Sequence, residues 1–182
     1  ADEPGARDIP ILIAGSIHTE SELDAMRSRL PAALLPMCDT IVALQTDDPA
    51  MTFTQAFDLA LPAGVISPDH WQFMAALWRC TTAELNRRRR VAVALALRGL
   101  PTLIVGPDAW KDVCGGTLSY GGEVPYADLP ALMRRARVCI AWGPTQFAHS
   151  FSERPLLAMA AGCATVTDDR LLSRAEFLID DS

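Results

Sequence analysis

Short apolar runs recur along this chain and alternate with segments of helical periodicity. Runs without polar alternation are typical of strands buried on both faces, as in a parallel sheet. Strands that alternate with helices predict an α/β fold with a doubly wound, Rossmann-like parallel sheet. The predicted strands cover residues 9–17, 40–44, 102–105, 117–120, 138–142 and 163–167.

Helix boundaries are marked by capping signals. Thr19 with Glu22 forms a capping-box pattern, which predicts a helix from there to about residue 34, ended by Pro36. Ser67 and Pro68 suit the N-cap and first position of a second helix. Further helical segments are predicted over 71–98, with a break near 81, over 127–137 and over 153–161.

Length and composition favour one globular domain. The 182 residues are 50% apolar and 21% charged, enough to bury a core. We expect a loose tail over 1–8 and one domain over 9–182. A doubly wound sheet often continues with another strand–helix unit, and a domain truncated on its C-terminal side is one interpretation. The net charge of −6 argues against a nucleic-acid partner.

Targeting and metal-binding patterns are absent from the sequence. The N-terminal segment ADEPGARD has no apolar core of a signal peptide, and no run reaches the ~20 apolar residues of a membrane span. Five cysteines stand at wide spacings without a zinc pattern. These features predict a cytoplasmic protein with reduced thiols, no membrane span and no metal.

The carboxyl ends of the predicted strands are where a ligand is expected. Gly15 and Ser16 follow the first strand, and the loop 143–152 leads into the helix predicted over 153–161. Free backbone N–H groups at such a helix start favour a phosphate, and Ser150, Ser152 and Arg154 add donors. Arg154 can alternatively be a buried arginine that bridges helix and loop.

Several enzyme classes are made improbable by missing motifs. The chain has no GxGxxG after its first strand, no GxxxxGK[ST] and no GxSxG. A flavodoxin-like receiver is disfavoured because no acidic cluster follows the first strand. The run 87–90 of four arginines spreads around a helix and is interpreted as solvated surface. Trp110 and Trp142 stand at strand ends, and core packing is favoured over ligand stacking.

The segment 120–168 carries a family resemblance. Its specific part is Ser152-Glu153-Arg154 followed by the run AMAAG at 158–162. This segment resembles the C-terminal, nucleotide-sugar-binding lobe of GT-B glycosyltransferases, and most closely the branch of bacterial spore-maturation CgeB-like proteins among the group 1 transferases.

The resemblance implies a lobe that binds a nucleoside diphosphate sugar opposite an N-terminal acceptor lobe. It implies transfer of the sugar to an acceptor hydroxyl, without a metal or a tightly bound cofactor, and an isolated lobe that does not turn over. The open cleft of such a lobe leaves a homodimer possible. By this resemblance, Gly15, Ser16, Ser150, Ser152, Glu153 and Arg154 contact the diphosphate side, while Gly121, Gly122 and Val124 lie near the base.

One departure from the family pattern raises an alternative. Retaining enzymes of this type often carry two glutamates eight positions apart, and here those positions hold His149 and Leu157. Glu153 lies one helical turn from the second position, and capping the helix or Arg154 is its favoured role. His149 is either a donor contact or acid/base group, or a plain surface histidine. A degenerate, non-catalytic module for protein interaction is therefore the second hypothesis.

Overall fold

In the computed structural model the described residues are 7–61, 71–147, 149–150 and 152–168. The chain groups into two compact units, one of Ala1–Ile17 with Arg90–Ser182 and one of His18–Arg89. The first unit contains the β-sheet, and the described part of the second is helical. The prediction of one domain over 9–182 stays a prediction.

Five parallel strands form the sheet, in the order β3-β2-β1-β4-β5. The chain lays β2 and β3 on one side of β1 and then crosses to the other side for β4 and β5. This order is that of the classic doubly wound fold, whose ligand crevice opens where the winding reverses, here between β1 and β4. The strands are β1 Ile9–Ala14, β2 Thr102–Val105, β3 Leu118–Tyr120, β4 Ala136–Ile140 and β5 Ala164–Val166.

Both faces of the sheet are buried, which confirms the prediction from the apolar runs. On one face, Leu12 of β1 packs with Met133 of α5 (Leu129–Arg135) and Ala158 of α6 (Glu153–Ala160). On the other face, Ile13 packs with Ala94 and Trp110. Helices therefore cover the sheet from two sides, as the doubly wound prediction requires.

The helical unit contains α1 (Glu20–Arg27), α2 (Leu35–Asp47), α3 (Phe53–Ala60) and the larger part of α4 (Trp71–Ala96). The Thr19–Glu22 capping box is present as predicted. Gly99 follows α4 with a φ of 105°, as expected for a residue that ends a helix. The predicted break near Thr81 is wrong, because α4 is continuous there and the Thr81 hydroxyl donates to the Leu77 carbonyl at 2.9 Å.

Two predictions in the helical unit are corrected. Residues 40–44 lie within α2 and are not a strand, since Cys38, Ile41, Val42 and Gln45 are buried at helical spacing. A run of five apolar residues does not by itself distinguish the two structures. Pro36 stands in the first turn of α2, where proline is favoured, and does not end α1, which stops at Arg27.

Two other predictions are shortened or lie outside the described residues. The helix predicted over 127–137 ends at Arg135, because Ala136 already belongs to β4 and pairs with Ile9. The start predicted at Ser67 and Pro68 lies outside the described residues.

Near the N-terminus, the described part of the predicted tail makes polar contacts. Arg7 donates to the Gly162 carbonyl, and Asp8 pairs with Arg135. The Arg135 guanidinium lowers the pKa of the Asp8 carboxyl. None of the helices among the described residues is long and apolar enough to cross a bilayer.

Candidate functional site

Three strands of the sheet end in glycine at the same edge. Gly15 follows β1, Gly106 follows β2 and Gly121 follows β3. Their amides continue the ladder, since Gly15 donates to the Val105 carbonyl at 3.1 Å and Gly121 donates to the Ile104 carbonyl at 2.8 Å. The backbone of these turns is therefore fixed by the sheet itself.

Gly106 makes the closest backbone approach at this edge. Its φ is 154°, and a Cβ built on it would lie 2.1 Å from the Gly15 carbonyl oxygen. The same oxygen accepts a hydrogen bond of 2.7 Å from the Trp110 indole. Trp110 is fully buried, so the core-packing interpretation of this tryptophan is confirmed. A side chain at 106 would push the two turns apart.

A pocket of about 620 Å³ opens beside these turns. It lies at the carboxyl ends of β1 and β2 and reaches the loop that follows β3 and the first turn of α6. Its volume is in the range of small-molecule sites. The lining residues are Ala14, Gly15, Ser16, Val105, Gly106, Pro107, Glu123, Val124, Pro125, Tyr126, Leu129 and Arg154.

Two arginines meet next to Gly15. A Cβ on Gly15 would lie 3.5 Å from Nη1 of Arg154 and 4.0 Å from Nη1 of Arg90. Only 6% of the Arg90 surface is exposed, and its guanidinium donates to the Ser16 carbonyl. Burial, together with the nearby charge of Arg154, lowers the pKa of Arg90 to about 10. The Arg90 guanidinium is therefore cationic at neutral pH.

Neither arginine has a carboxylate partner among the described residues. None of the ion pairs in that part of the chain includes Arg90 or Arg154. Nε of Arg154 is also buried without a hydrogen-bond partner there. Glu123 is the acidic residue of the pocket lining, and it is exposed. Two close cations without an acid favour an anion, because it would offset both their repulsion and their desolvation.

Another part of the pocket lining is apolar. Val124, Pro125 and Leu129 line it, and Tyr126 exposes 56% of its surface. Exposed aromatic surface beside a polar pocket can stack on a planar ligand. The pocket lining thus combines a cationic side chain, Arg154, beside which Arg90 is buried, with an apolar and aromatic surface.

The structure brings part of the predicted site together. Gly15, Ser16, Val124 and Arg154 line the pocket, whereas the other predicted residues are not among its lining. Gly121 packs against Leu103, which a Cβ would approach to 2.9 Å, and Gly122 takes a turn conformation with φ 85°. The remaining ones are Ser150, half-buried, and His149 and Glu153, both exposed.

Ser152 begins α6 but does not cap it with its side chain. Its hydroxyl is buried and has no hydrogen-bond partner among the described residues. Leu157, at the position of the family's second glutamate, packs half-buried against the apolar cluster beneath α5 and α6. It is not a lining residue of the pocket. A glutamate there would face apolar neighbours in this conformation.

The sequence interpretation missed Arg90. The run 87–90 is not uniformly solvated, since Arg87 and Arg90 are largely buried, while Arg88 is exposed and pairs with Glu84 at 2.6 Å. Successive helix residues point about 100° apart, so four neighbours reach four environments. Which of these arginines faces β1 depends on how α4 is rotated about its own axis, and the sequence pattern did not indicate that rotation. Glu123, Pro125 and Tyr126 were also missed, although they flank the predicted Val124.

No metal cluster is seen in the described part of the chain, where no group of three or more His, Cys, Asp or Glu side chains converges. Asp168 accepts a hydrogen bond of 2.9 Å from the Gly143 amide at the end of β4. Asp169, the acidic residue that follows Asp168 in the sequence, lies outside the described residues.

The sequence profile of the glycosyl transferase-like family matches residues 87–181, just over half of the chain. The chain belongs to this family. The match includes Arg90, Arg154 and the pocket lining from Val105 onward, whereas Ala14, Gly15 and Ser16 lie outside it. Most of the pocket lining therefore lies in the part of the chain on which the glycosyltransferase-like assignment rests.

Other comparisons add little. No match is found among curated proteins. Among solved structures, the chain is similar to a HAD-family enzyme from Bacteroides thetaiotaomicron at 13% identity and a TM-score of 0.32. That alignment covers 94% of this chain and 98% of the other.

Proposed function

We propose that this glycosyl transferase-like chain is the donor-binding lobe of a GT-B enzyme and holds a nucleoside diphosphate sugar in the pocket. The observation that carries the proposal is the pair Arg90 and Arg154, which lie beside Gly15 without a carboxylate partner in the described part of the chain. A diphosphate would supply the missing negative charge. Charge-assisted hydrogen bonds from arginine to phosphate are among the stronger polar contacts.

The two sides of the pocket suit the two parts of such a donor. The diphosphate would lie against Gly15, Ser16 and Arg154, and the base would lie toward Val124 and Tyr126. The pocket lies at the carboxyl ends of β1 and β2, next to the strand-order reversal between β1 and β4 at which doubly wound sheets bind nucleotides. Within the family, the segment Ser152-Glu153-Arg154 and the run AMAAG at 158–162 support the CgeB-like branch.

The reaction proposed for the whole enzyme is sugar transfer to an acceptor hydroxyl. The bond between the anomeric carbon and the diphosphate oxygen breaks, the acceptor oxygen forms the new glycosidic bond, and the hydroxyl proton is released. Negative charge grows on the departing diphosphate, where Arg154 and Arg90 would stabilise it. The acceptor would be supplied by a second, N-terminal lobe, so this lobe alone is expected to bind donor without turnover.

A calorimetric titration of the chain with UDP, GDP and their sugars tests the proposal. We expect saturable binding to one base series and a loss of at least about tenfold in affinity in Arg154→Ala. Arg134→Ala removes the same charge from an exposed position at the end of α5 and should leave affinity unchanged. Equal losses in the two variants would argue for a general charge effect and against a donor site.

Leu157 favours the second candidate, a non-catalytic module retained for protein interaction. Its side chain packs against the apolar cluster, where the family pattern has a donor-binding glutamate. Nucleotide binding separates the two candidates, because an interaction module needs none. Absence of binding at millimolar nucleotide, both here and in a protein that carries the acceptor lobe, would support the module and reject the donor lobe.

A further inference from the structure

Two cysteines distant in sequence meet in the core of the helical unit. Cys38 of α2 and Cys80 of α4 are 42 residues apart, and their Sγ atoms lie 3.7 Å from each other. Both thiols are free and buried. They belong to the apolar cluster that also contains Ile41, Phe57 and Leu77.

A chain of donors leads to Cys80. Nη1 of Arg27 lies 3.8 Å from the Cys38 sulfur, and the Cys38 thiol donates in turn to the Cys80 sulfur. Arg27 is fixed by Asp39, whose carboxylate accepts from its Nη2 at 2.8 Å. The hydrogen bond from Cys38 lowers the pKa of Cys80 and raises the pKa of Cys38. Cys80 is therefore the better nucleophile of the pair.

We propose that Cys38 and Cys80 form a reversible dithiol–disulfide site that reacts with hydroperoxides. A disulfide places the sulfurs about 2.0 Å apart, so the observed 3.7 Å must shorten by about 1.7 Å. Side-chain rotation and a small shift of the two helices can supply such a movement. Arg27 is partly exposed beside Cys38, and opening of that side chain gives a small peroxide a route to the pair.

The chemistry balances without a further reactant. The Cys80 thiolate attacks the terminal peroxide oxygen, the O–O bond breaks, and Cys80 becomes a sulfenic acid. The departing hydroxide or alkoxide takes up the proton that the Cys80 thiol released and leaves as water or an alcohol. The Cys38 sulfur then attacks the Cys80 sulfur, the S–S bond forms and the S–O bond breaks. The oxygen leaves as water with the Cys38 proton. The two sulfurs lose two electrons in total, and the peroxide is reduced to two molecules of water or, for an organic hydroperoxide, to an alcohol and water. A thiol reductant then restores the dithiol.

Peptide mapping of the wild-type chain tests the proposal without a mutation. Trypsin cuts after Arg29, Arg79 and Arg87, so Cys38 and Cys80 fall in separate peptides, 30–79 and 80–87. After mild peroxide treatment and alkylation, we expect these two peptides to be linked and free thiols to fall from five to three. The link should disappear with dithiothreitol. Five remaining thiols, or a link that involves Cys114, would overturn the proposal.

Accessibility alone predicts a different result, which sharpens the test. Cys114 is the most exposed of the five cysteines, so a reaction governed by exposure would begin there. In Cys114→Ser we expect the 38–80 link to form at the wild-type rate. In Cys38→Ala we expect no link and a sulfenic acid at Cys80 that dimedone traps. Oxidation of the chain unfolded in urea should give several different disulfides, because the contact between Cys38 and Cys80 exists only in the folded chain. Selective pairing of Cys38 with Cys80 in urea would contradict a role of the folded contact.

Discussion

Three arginines of the helical unit contrast with two arginines beside the pocket of the sheet unit, although elsewhere in the sheet unit Arg135 pairs with Asp8. In the helical unit, Arg27, Arg87 and Arg88 each pair with a carboxylate at 2.6–2.8 Å. In the sheet unit, Arg90 and Arg154 lie next to each other, and no carboxylate partners them in the described residues. A compensated arginine is explained by the fold. An uncompensated, buried pair costs stability and is the kind of feature that a ligand would explain.

The backbone beside the pocket is held in place by contacts within the sheet unit. Gly106 approaches Gly15 so closely that no side chain fits, and the Trp110 indole holds the Gly15 carbonyl. These contacts fix the turn on which the two arginines converge. The sheet unit thus supplies a rigid turn and an excess of positive charge at one place.

The largest expected effect comes from Gly106→Ala. Its Cβ would lie 2.1 Å from the Gly15 carbonyl oxygen, so the turns at the ends of β1 and β2 must separate. We expect a loss of about 3 kcal/mol in the free energy of unfolding. Urea unfolding measures it.

Gly99→Ala is the matched control for this change. Gly99 also has a positive φ, 105°, but a Cβ there meets no atom within 4 Å. Its loss should reflect backbone strain alone, about 1 kcal/mol. Equal losses at 106 and 99 would mean that the turn at Gly15 tolerates displacement, and the pocket would not be rigid.

The second expected effect separates binding from stability at Arg90. Arg90→Met keeps a long apolar side chain and removes a buried charge that lacks an acid, at the cost of the hydrogen bond to the Ser16 carbonyl. We expect the free energy of unfolding to change by less than about 1 kcal/mol. The affinity for the nucleotide found by titration should fall at least about tenfold.

Calorimetry and urea unfolding on the same preparation give both quantities. Retained affinity with a large loss of stability would make Arg90 a structural residue of the Gly15–Ser16 turn. In that case the contrast between the two units would concern packing only.

The sequence was informative where local pattern and tertiary environment agree. The strands around Ile13, Ile104 and Ile140 are mainly apolar because both faces of the sheet are covered, and they were predicted, although β4 also contains Arg137. The run at 40–44 was misread because its buried residues repeat at helical spacing only when Cys38 and Gln45 are included.

The candidate site was predictable to the extent that it follows strand ends. Gly15 and Ser16 follow β1 directly, Arg154 stands in the first turn of α6 after the loop that follows β4, and all three line the pocket. Arg90 does not, since which of four adjacent arginines faces β1 depends on the rotation of α4 about its axis. That rotation is set by packing of Ala94 and its neighbours against the sheet. Four consecutive arginines are identical in sequence, so the run itself does not indicate which of them faces the sheet.

The smallest expected effect belongs to the compensated side of the comparison. Arg88 lies two residues before Arg90 on α4, pairs with Glu84 one turn away, and has a side chain 59% exposed. Helix pairs of this spacing contribute little, because solvent screens them and both side chains lose entropy. Arg88→Ala should change the free energy of unfolding by about 0.5 kcal/mol and leave nucleotide affinity unchanged. If Arg88→Ala weakens nucleotide binding as much as Arg90→Met does, any positive charge on α4 contributes to binding. The difference between arginines that have a carboxylate partner and arginines that lack one would then have no functional meaning.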